Sequence, residues 1–262
     1  MIEMTSKIEK FAAQLAEAEE TKVGIDPITT VDPEITVDEA YYIQLENIKK
    51  KLAEGQIIVG KKIGLTSLAV QKMLGVDEPD YGHLLDSMVV ENGGTIDTKD
   101  MLQPKIEGEI AFVLKKDLKG PNVTAVDVIQ ATDYVLPALE VVDSRVQDWK
   151  IKLQDTVADN ASSGLYVLGG KPTKLEDIDL ELLGMVLYQN GEMVNTGVGA
   201  AALGNPATCV AWLANRLADY DITLKAGEVI LSGALSGMVV ANAGDSFTAR
   251  FAHLGQVSVN FK

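Results

Sequence analysis

The chain has 262 residues, 47% of them hydrophobic and 23% charged, with a formal net charge of −15. That length suffices for one large domain or a core with a small appendage, and the acid surplus argues against nucleic acid or an anionic membrane as partner, since both call for a basic face. No apolar run is long enough to span a bilayer, the amphipathic acidic N-terminus lacks the basic and apolar regions of a secretory signal, and a lone cysteine, Cys209, fits a reducing cytoplasm without internal disulfides.

In chain order, two helices come first. Ser6-x-x-Glu9 and Thr36-x-x-Glu39 both read as capping boxes. Behind the second, Val37, Tyr41, Leu45, Ile48 and Leu52 form a single apolar stripe at helical spacing. The intervening stretch, punctuated by Pro27 and Pro33, reads as a loop. From Gln56 the character turns to β. QIIVGKKIGL predicts a strand, SLAVQKML a short helix capped by Ser67, and GVDEPDYGHLLD a loop. KIEGEIAFVLK predicts a strand, TAVDVIQAT a helix, and YVLPALEVVD a strand whose Pro137 points to an edge or a bulge. Asn190-Gly191 between two alternating runs predicts a hairpin, and Asn205-Pro206 starts a helix running to about Tyr220. GEVILSG, DSFTARF and GQVSVNF are the closing strands. Many short strands without βαβ alternation predict an α+β fold, a mixed β-sandwich or roll. Residues 1–55 then form a helical N-terminal cap and 56–262 a β-rich catalytic domain.

Several chemistries lack their motifs. There is no GxSxG elbow and no P-loop, and GVGAAALG (197–204) fails the dinucleotide-binding spacing. Only two histidines, His83 and His253, are present. The informative stretch is PKIEGEIAFVL. On a strand, Glu107 and Glu109 share one face with Cα atoms about 6–7 Å apart, a costly arrangement on a half-buried surface unless a cation lies between them. A third carboxylate, Glu140, stands in the apolar run VLPALEVVD. Three such carboxylates suit a hard divalent cation with oxygen ligands, Mg²⁺ or Mn²⁺, which would leave open positions for a 2-oxo acid. Equally, all three could line the solvent face of a sheet.

Together GKKIGLTS, LGVDEPDYGHLLDSM, PKIEGEIAFVL, LPALEVVDSRVQDWKIKLQDTVADNASSGLYVLGG and GEVILSGALSGMVVANAGD resemble the 2-hydroxypenta-2,4-dienoate (2-oxopent-4-enoate) hydratases of the fumarylacetoacetate hydrolase superfamily. The resemblance runs from about residue 36 to the end. It implies that superfamily's fold and a metal-dependent hydration giving 4-hydroxy-2-oxopentanoate in meta-cleavage of aromatic compounds. It also implies Glu107, Glu109 and Glu140 as ligands of Mg²⁺ or Mn²⁺. Lys62 matches the active-site lysine and is expected either at a lowered pKa, trading protons, or paired with an anionic substrate; Lys61 should point the other way. Asp80, in the predicted loop, matches the hydratase acid and is a candidate general base, and Asp155 also follows the hydratase pattern. Arg145 and Asp159 fit a structural ion pair or a shell around the metal ligands. Ser162 is a candidate for binding the substrate carboxylate, and the loop beginning at Gly233 for approaching the substrate through its backbone. His83 matches no water-activating pair of the superfamily and reads as structural. The resemblance further implies a homo-oligomer and a possible complex with the sister decarboxylase. The alternatives are 4-oxalocrotonate decarboxylation, where no water-activating carboxylate is needed, and a non-catalytic partner subunit.

Overall fold

The structure, a computed structural model, describes residues 2–74 and 76–262. Helix α1 (Ile2–Thr21) presents Phe11, Ala12, Leu15 and Ala18 on one buried stripe. It begins ahead of Ser6, so the expected capping box at Ser6-x-x-Glu9 is corrected: these residues lie inside the helix, where their backbone donors are already engaged. A four-residue helix, α2 (Ile28–Val31), interrupts the stretch read as loop. Helix α3 (Val37–Ala53) starts with the expected box, Glu39 N–H donating to Thr36 Oγ1 (3.2 Å) while Thr36 N–H donates to Glu39 Oε2 (2.9 Å). Ion pairs Lys7–Glu39 (2.7 Å) and Lys51–Glu19 (2.5 Å) tie α1 to α3.

The first strands and helix of the body are β1 (Ile58–Gly64), α4 (Leu68–Leu74), β2 (Asp80–Leu85), β3 (Val89–Val90), β4 (Thr95–Ile96) and β5 (Lys105–Leu114). Then come α5 (Ala125–Ala131), β6 (Thr132–Val142), α6 (Leu153–Ala158), β7 (Ser163–Leu168), and the hairpin β8 (Gly184–Gln189) and β9 (Glu192–Val198). Helix α7 (Pro206–Ala218), β10 (Val229–Ala234), β11 (Val239–Val240), β12 (Ser246–Phe251) and β13 (Gly255–Phe261) complete the order. Among the described residues the larger sheet runs β2-β1-β10-β5-β6-β7-β3, with β11 added to β5, and the smaller runs β4-β13-β12-β8-β9. The β8–β9 turn has positive φ at both Asn190 and Gly191, as that dipeptide favours.

Two readings need correction. The stretch taken as a loop around Asp80 is β2, buried along its length and paired with β1, because Tyr81, Leu84 and Leu85 supply enough apolar surface to order it. Pro137 lies not at an edge but in β6, between β5 and β7. Its carbonyl accepts from Gly169 N–H (2.8 Å), so its nitrogen faces the side where pairing with β7 ends at Ala138–Leu168, and no ladder donor is missed.

Phe11 and Leu15 of α1 and Tyr41 and Ile43 of α3 share one apolar cluster with Ile63, Ile106 and Ile110 of the large sheet. The N-terminal helices therefore complete the core of the body.

Candidate active site

Glu107 on β5 stands directly opposite Glu140 on β6, and Glu109 lies diagonally across from Glu140, opposite Ala138. In-register antiparallel pairing thus gathers onto one face two carboxylates that are neighbours in sequence and a third more than thirty residues on. One oxygen from each lies within 4.8 Å of the others. The solvent-face alternative fails: Glu109 is 0% and Glu140 1% exposed, while Glu107 borders a cavity.

Lys62 projects from β1, three strands from β6 in the sheet order. A flat sheet would set those strands about 14 Å apart. Lys62 Nζ nonetheless lies 3.1 Å from Glu140 Oε1, the long lysine side chain reaching along the face of the sheet past β10 and β5. The ammonium also donates to the carbonyl of Ala161 (2.8 Å). Lys61, its neighbour, points away and is nonetheless buried, paired with Glu228 at 2.8 and 2.9 Å.

Asp80 opens β2 opposite Gly64. A side chain at Gly64 would place its Cβ 2.2 Å from Asp80 Oδ1, so the carboxylate approaches β1 only because residue 64 is glycine. Asp80 Oδ2 accepts from Thr156 Oγ1 (2.8 Å) on α6, whereas Oδ1 is buried without a hydrogen-bond partner. Glu109 Oε1 and Glu140 Oε2 are likewise unpartnered, and Glu109 Oε2 accepts from the backbone N–H of Gly233 (2.8 Å). Gly233 sits at a bulge in β10 with φ +102°, a conformation that glycine adopts freely. Its N–H serves a glutamate.

Four acids thus crowd around one ammonium. Burial pushes the Glu107 carboxyl up to about 7, with Glu140 adding and Lys62 opposing. Burial, with Glu140 and Glu107 adding, drives Glu109 well above the carboxylate range, and burial raises Glu140 and Asp80 against the pull of Lys62. Burial alone would lower the Lys62 ammonium, but Glu140, Asp80, Glu107 and Glu109 together outweigh it and hold the group above its ordinary value. The expectation of a lowered lysine is corrected on that ground: the apolar wall is real, but four carboxyls surround the nitrogen.

The remaining sequence candidates lie behind this cluster. Arg145 pairs with Asp159, and its guanidinium also donates to the carbonyls of Asp159, Asp143 and Ser163. None of these contacts reaches the three glutamates. Arg145 instead clamps both ends of the turn Asn160–Ser162, in which three consecutive residues have φ between 52° and 53°. Such left-handed residues cost about 1–3 kcal/mol each where a side chain is present. The turn aims Ala161's carbonyl at Lys62. Ser162 Oγ donates to Asp159 Oδ2 (3.3 Å), and Asp155 accepts from Thr29 and Lys152 (2.7–2.9 Å) to join α6 to α2. His83 binds Gln44 Oε1 through Nδ1 (2.9 Å), remote from the carboxylates, and burial and Lys61 depress it to about 3, leaving it neutral.

Sequence reasoning missed Thr156, Ala161, Gln44 and the left-handed Leu65. A backbone carbonyl carries no residue-type signal, and Thr156 becomes relevant only once α6 is docked. The asparagine and serine flanking Ala161 were the available hint, since both tolerate turns.

Glu107 borders a cavity of about 300 Å³, alongside Gly64, Leu65, Val70, Leu235 and Met238. The arrangement is suited to holding a divalent cation through the three glutamates. Their oxygens converge, several lack partners, and carboxylate oxygens are what a hard cation takes.

Comparisons with known proteins agree with this geometry. The family model for the fumarylacetoacetate (FAA) hydrolase C-terminal region matches residues 64–262. The chain is 48% identical over 256 residues to 2-hydroxyhexa-2,4-dienoate hydratase of Comamonas testosteroni, covering 97% of each chain. It is also 48% identical over 254 residues to 2-keto-4-pentenoate hydratase of Paraburkholderia xenovorans (strain LB400), covering 97% of this chain and 94% of the relative. Among solved structures, 4-oxalocrotonate decarboxylase from Pseudomonas putida G7, complexed with magnesium and adipate, superposes with a TM-score of 0.96 at 42% identity, covering 98% of each chain.

Proposed function

The chain belongs to the fumarylacetoacetate hydrolase family, and from that premise we propose that it is a hydratase adding water to 2-hydroxypenta-2,4-dienoate to give 4-hydroxy-2-oxopentanoate. The observation that carries this reading is the convergence of Glu107, Glu109 and Glu140 beside Lys62 and a carboxyl, Asp80, with an unpartnered oxygen.

Glu107, Glu109 and Glu140 would hold Mg²⁺ or Mn²⁺, which when bound supplies Lewis-acid stabilisation of negative charge on the substrate's carboxylate and 2-oxygen. The chain's own groups handle the protons. Ketonisation moves the 2-hydroxyl proton off and places a proton on C5, leaving a 2-oxo acid with a conjugated C3–C4 double bond. Water then adds at C4 and C3 gains a proton. Asp80 is our assignment for taking and returning protons, since burial moves its carboxyl upward, toward the range in which it exchanges them, and its Oδ1 is free. Lys62, whose ammonium stands beside Glu140 and the Ala161 carbonyl, serves as hydrogen-bond donor and counter-charge to the anionic substrate.

The test is an ultraviolet progress curve on freshly generated 2-hydroxypenta-2,4-dienoate after chelator treatment, with and without Mg²⁺, the product identified by mass. Metal-dependent loss of the dienol with gain of one water supports hydration. CO₂ release from 4-oxalocrotonate without hydration of the dienol would favour decarboxylation, which the close likeness to the P. putida decarboxylase keeps in play. Silence on both would favour a non-catalytic partner. Asp80→Asn should lower turnover on the order of 10²-fold or more while the protein still binds metal; near-normal turnover removes Asp80 from the reaction.

A further inference from the structure

Lys61 and Lys62 point to opposite faces of the large sheet, and the face that Lys61 shares with His83, its partner in register on β2, borders a second cavity of about 520 Å³. Helix α3 supplies Leu45, Ile48 and Lys49 to it, and the segment ahead of β10 supplies Ile222, Lys225 and Glu228. None of the three glutamates, nor Lys62 or Asp80, lines it.

His83 is 3% exposed, and its hydrogen bonds fix what it offers this cavity. The side-chain amide of Gln44 donates to two carbonyls, those of Tyr81 (3.0 Å) and Val157 (2.6 Å). Carbonyls only accept, so both amide hydrogens are committed and Gln44 Oε1 can only accept in turn. It lies 2.9 Å from His83 Nδ1, which must therefore carry the proton. In the neutral ring Nε2 is then a bare acceptor, and it has no hydrogen-bond partner among the described residues. A buried acceptor beside a cavity calls for a donor.

The charges around it say what kind of molecule brings that donor. Three lysines, Lys49, Lys61 and Lys225, line the cavity against a single carboxylate, Glu228, on a chain whose formal net charge is −15. Lys61 is paired with Glu228, and Lys225 with Asp117 (2.9 Å). Lys49 is exposed and has no ion-pair partner among the described residues. A positively charged donor would be repelled here, so an uncharged one such as a hydroxyl suits Nε2, and an anionic group suits Lys49. We propose that this cavity binds a hydroxylated organic acid with a hydrocarbon body. The hydroxyl donates to His83 Nε2, the body lies against Leu45, Leu52, Ile58 and Ile222, and the carboxylate meets Lys49. The volume and the mixture of apolar walls with a few polar groups are those of a small-molecule site.

Three probes separate the parts: 4-hydroxybenzoate, benzoate without the hydroxyl, and 4-hydroxybenzyl alcohol without the charge. By calorimetry 4-hydroxybenzoate should bind once per chain, with equal affinity in Mg²⁺-loaded and chelator-treated protein. Benzoate should bind about tenfold more weakly, the scale of one hydrogen bond. The alcohol should bind about fivefold more weakly, a gap that closes in high salt. No binding, equal affinities for 4-hydroxybenzoate and benzoate, or binding only with Mg²⁺ would each overturn the proposal. Because the chain has only two histidines, ¹⁵N spectra of histidine-labelled protein read His83 directly, with His253→Gln giving the assignment. Its Nε2 should resonate as an unprotonated nitrogen and shift with 4-hydroxybenzoate more than with benzoate; an Nε2 already protonated, or unmoved by the ligand, would refute the placement. Leu52 is 40% exposed, so Leu52→Trp fills the cavity without disturbing the core. That variant should lose 4-hydroxybenzoate binding while Mg²⁺ binds as in the wild type, and retained binding would place the ligand elsewhere.

Discussion

Replacing Glu109 by glutamine separates what the carboxyl does for folding from what it does for a cation. Burial drives the Glu109 carboxyl well above the carboxylate range and so favours its neutral form, to which glutamine is close in shape and volume. The oxygen that accepts from Gly233 N–H has a counterpart in the amide. The metal-free variant should therefore melt within about 1 kcal/mol of the wild type, the usual scale for a volume-conserving change. With Mg²⁺ the two should part. At a free concentration 100 times the dissociation constant, binding to the native state contributes about 2.7 kcal/mol. For a chain of this size, at about 2–4 °C per kcal/mol, that is a rise in Tm of roughly 5–10 °C. Loss of one of three protein ligands should weaken binding by about 100-fold, at least as much as losing an outer-shell partner. At the same Mg²⁺ concentration the variant then gains only about 0.4 kcal/mol, or roughly 1–2 °C. Scanning calorimetry on chelator-treated protein, with and without added Mg²⁺, reads both quantities. A full metal-induced shift in Glu109→Gln would refute the assignment of this glutamate, and no shift in the wild type would refute the cation site altogether.

Three further outcomes follow from the same geometry. Cation binding must displace protons from the raised carboxyls, Glu107 at about 7 among them, so Mg²⁺ affinity should rise with pH through the neutral range by up to tenfold per unit per proton; calorimetry in buffers of different ionisation heat counts the protons, and a pH-independent affinity would contradict it. His83 titrates near 3 when folded and at about 6.5 when unfolded, so between those values the unfolded chain holds the extra proton, and stability is full above the unfolded pKa and falls as the pH drops. Between about pH 6.5 and 5 this amounts to roughly 2 kcal/mol, which urea unfolding should show in the wild type and not in His83→Gln. Arg145→Met should cost about 3–5 kcal/mol by stranding the Asp159 carboxylate and should lower kcat more than KM as the Ala161 carbonyl loses its aim; an unchanged urea midpoint would deny the clamp.

Much of the candidate site was legible locally because it depends on alternation along single strands. Glu107 and Glu109 had to share a face of whatever sheet β5 joined, and Lys61 and Lys62 had to part company. The Asn190-Gly191 hairpin and the Thr36–Glu39 box were equally local, each set by the backbone preference of a few residues. The errors arose where a residue's meaning depended on distant partners. Asp80 sat among residues typical of turns, and only pairing with β1 made that stretch a strand. Pro137 looked like an edge signal, and only the point at which β7 stops made it harmless inside the sheet.

The sequence by itself determined the chemistry on offer: three carboxylates and a lysine on alternating strands, with no rival motif for nucleotide or serine chemistry. The tertiary structure decided how those groups meet. Strand order sets Lys62 within reach of Glu140, cross-strand register sets Glu107 against Glu140, and the clamped left-handed turn supplies the Ala161 carbonyl. It also decided the electrostatics of the lysine, because a pKa responds to distances in space, and four carboxyls scattered over some sixty residues of chain become neighbours only when the sheet assembles.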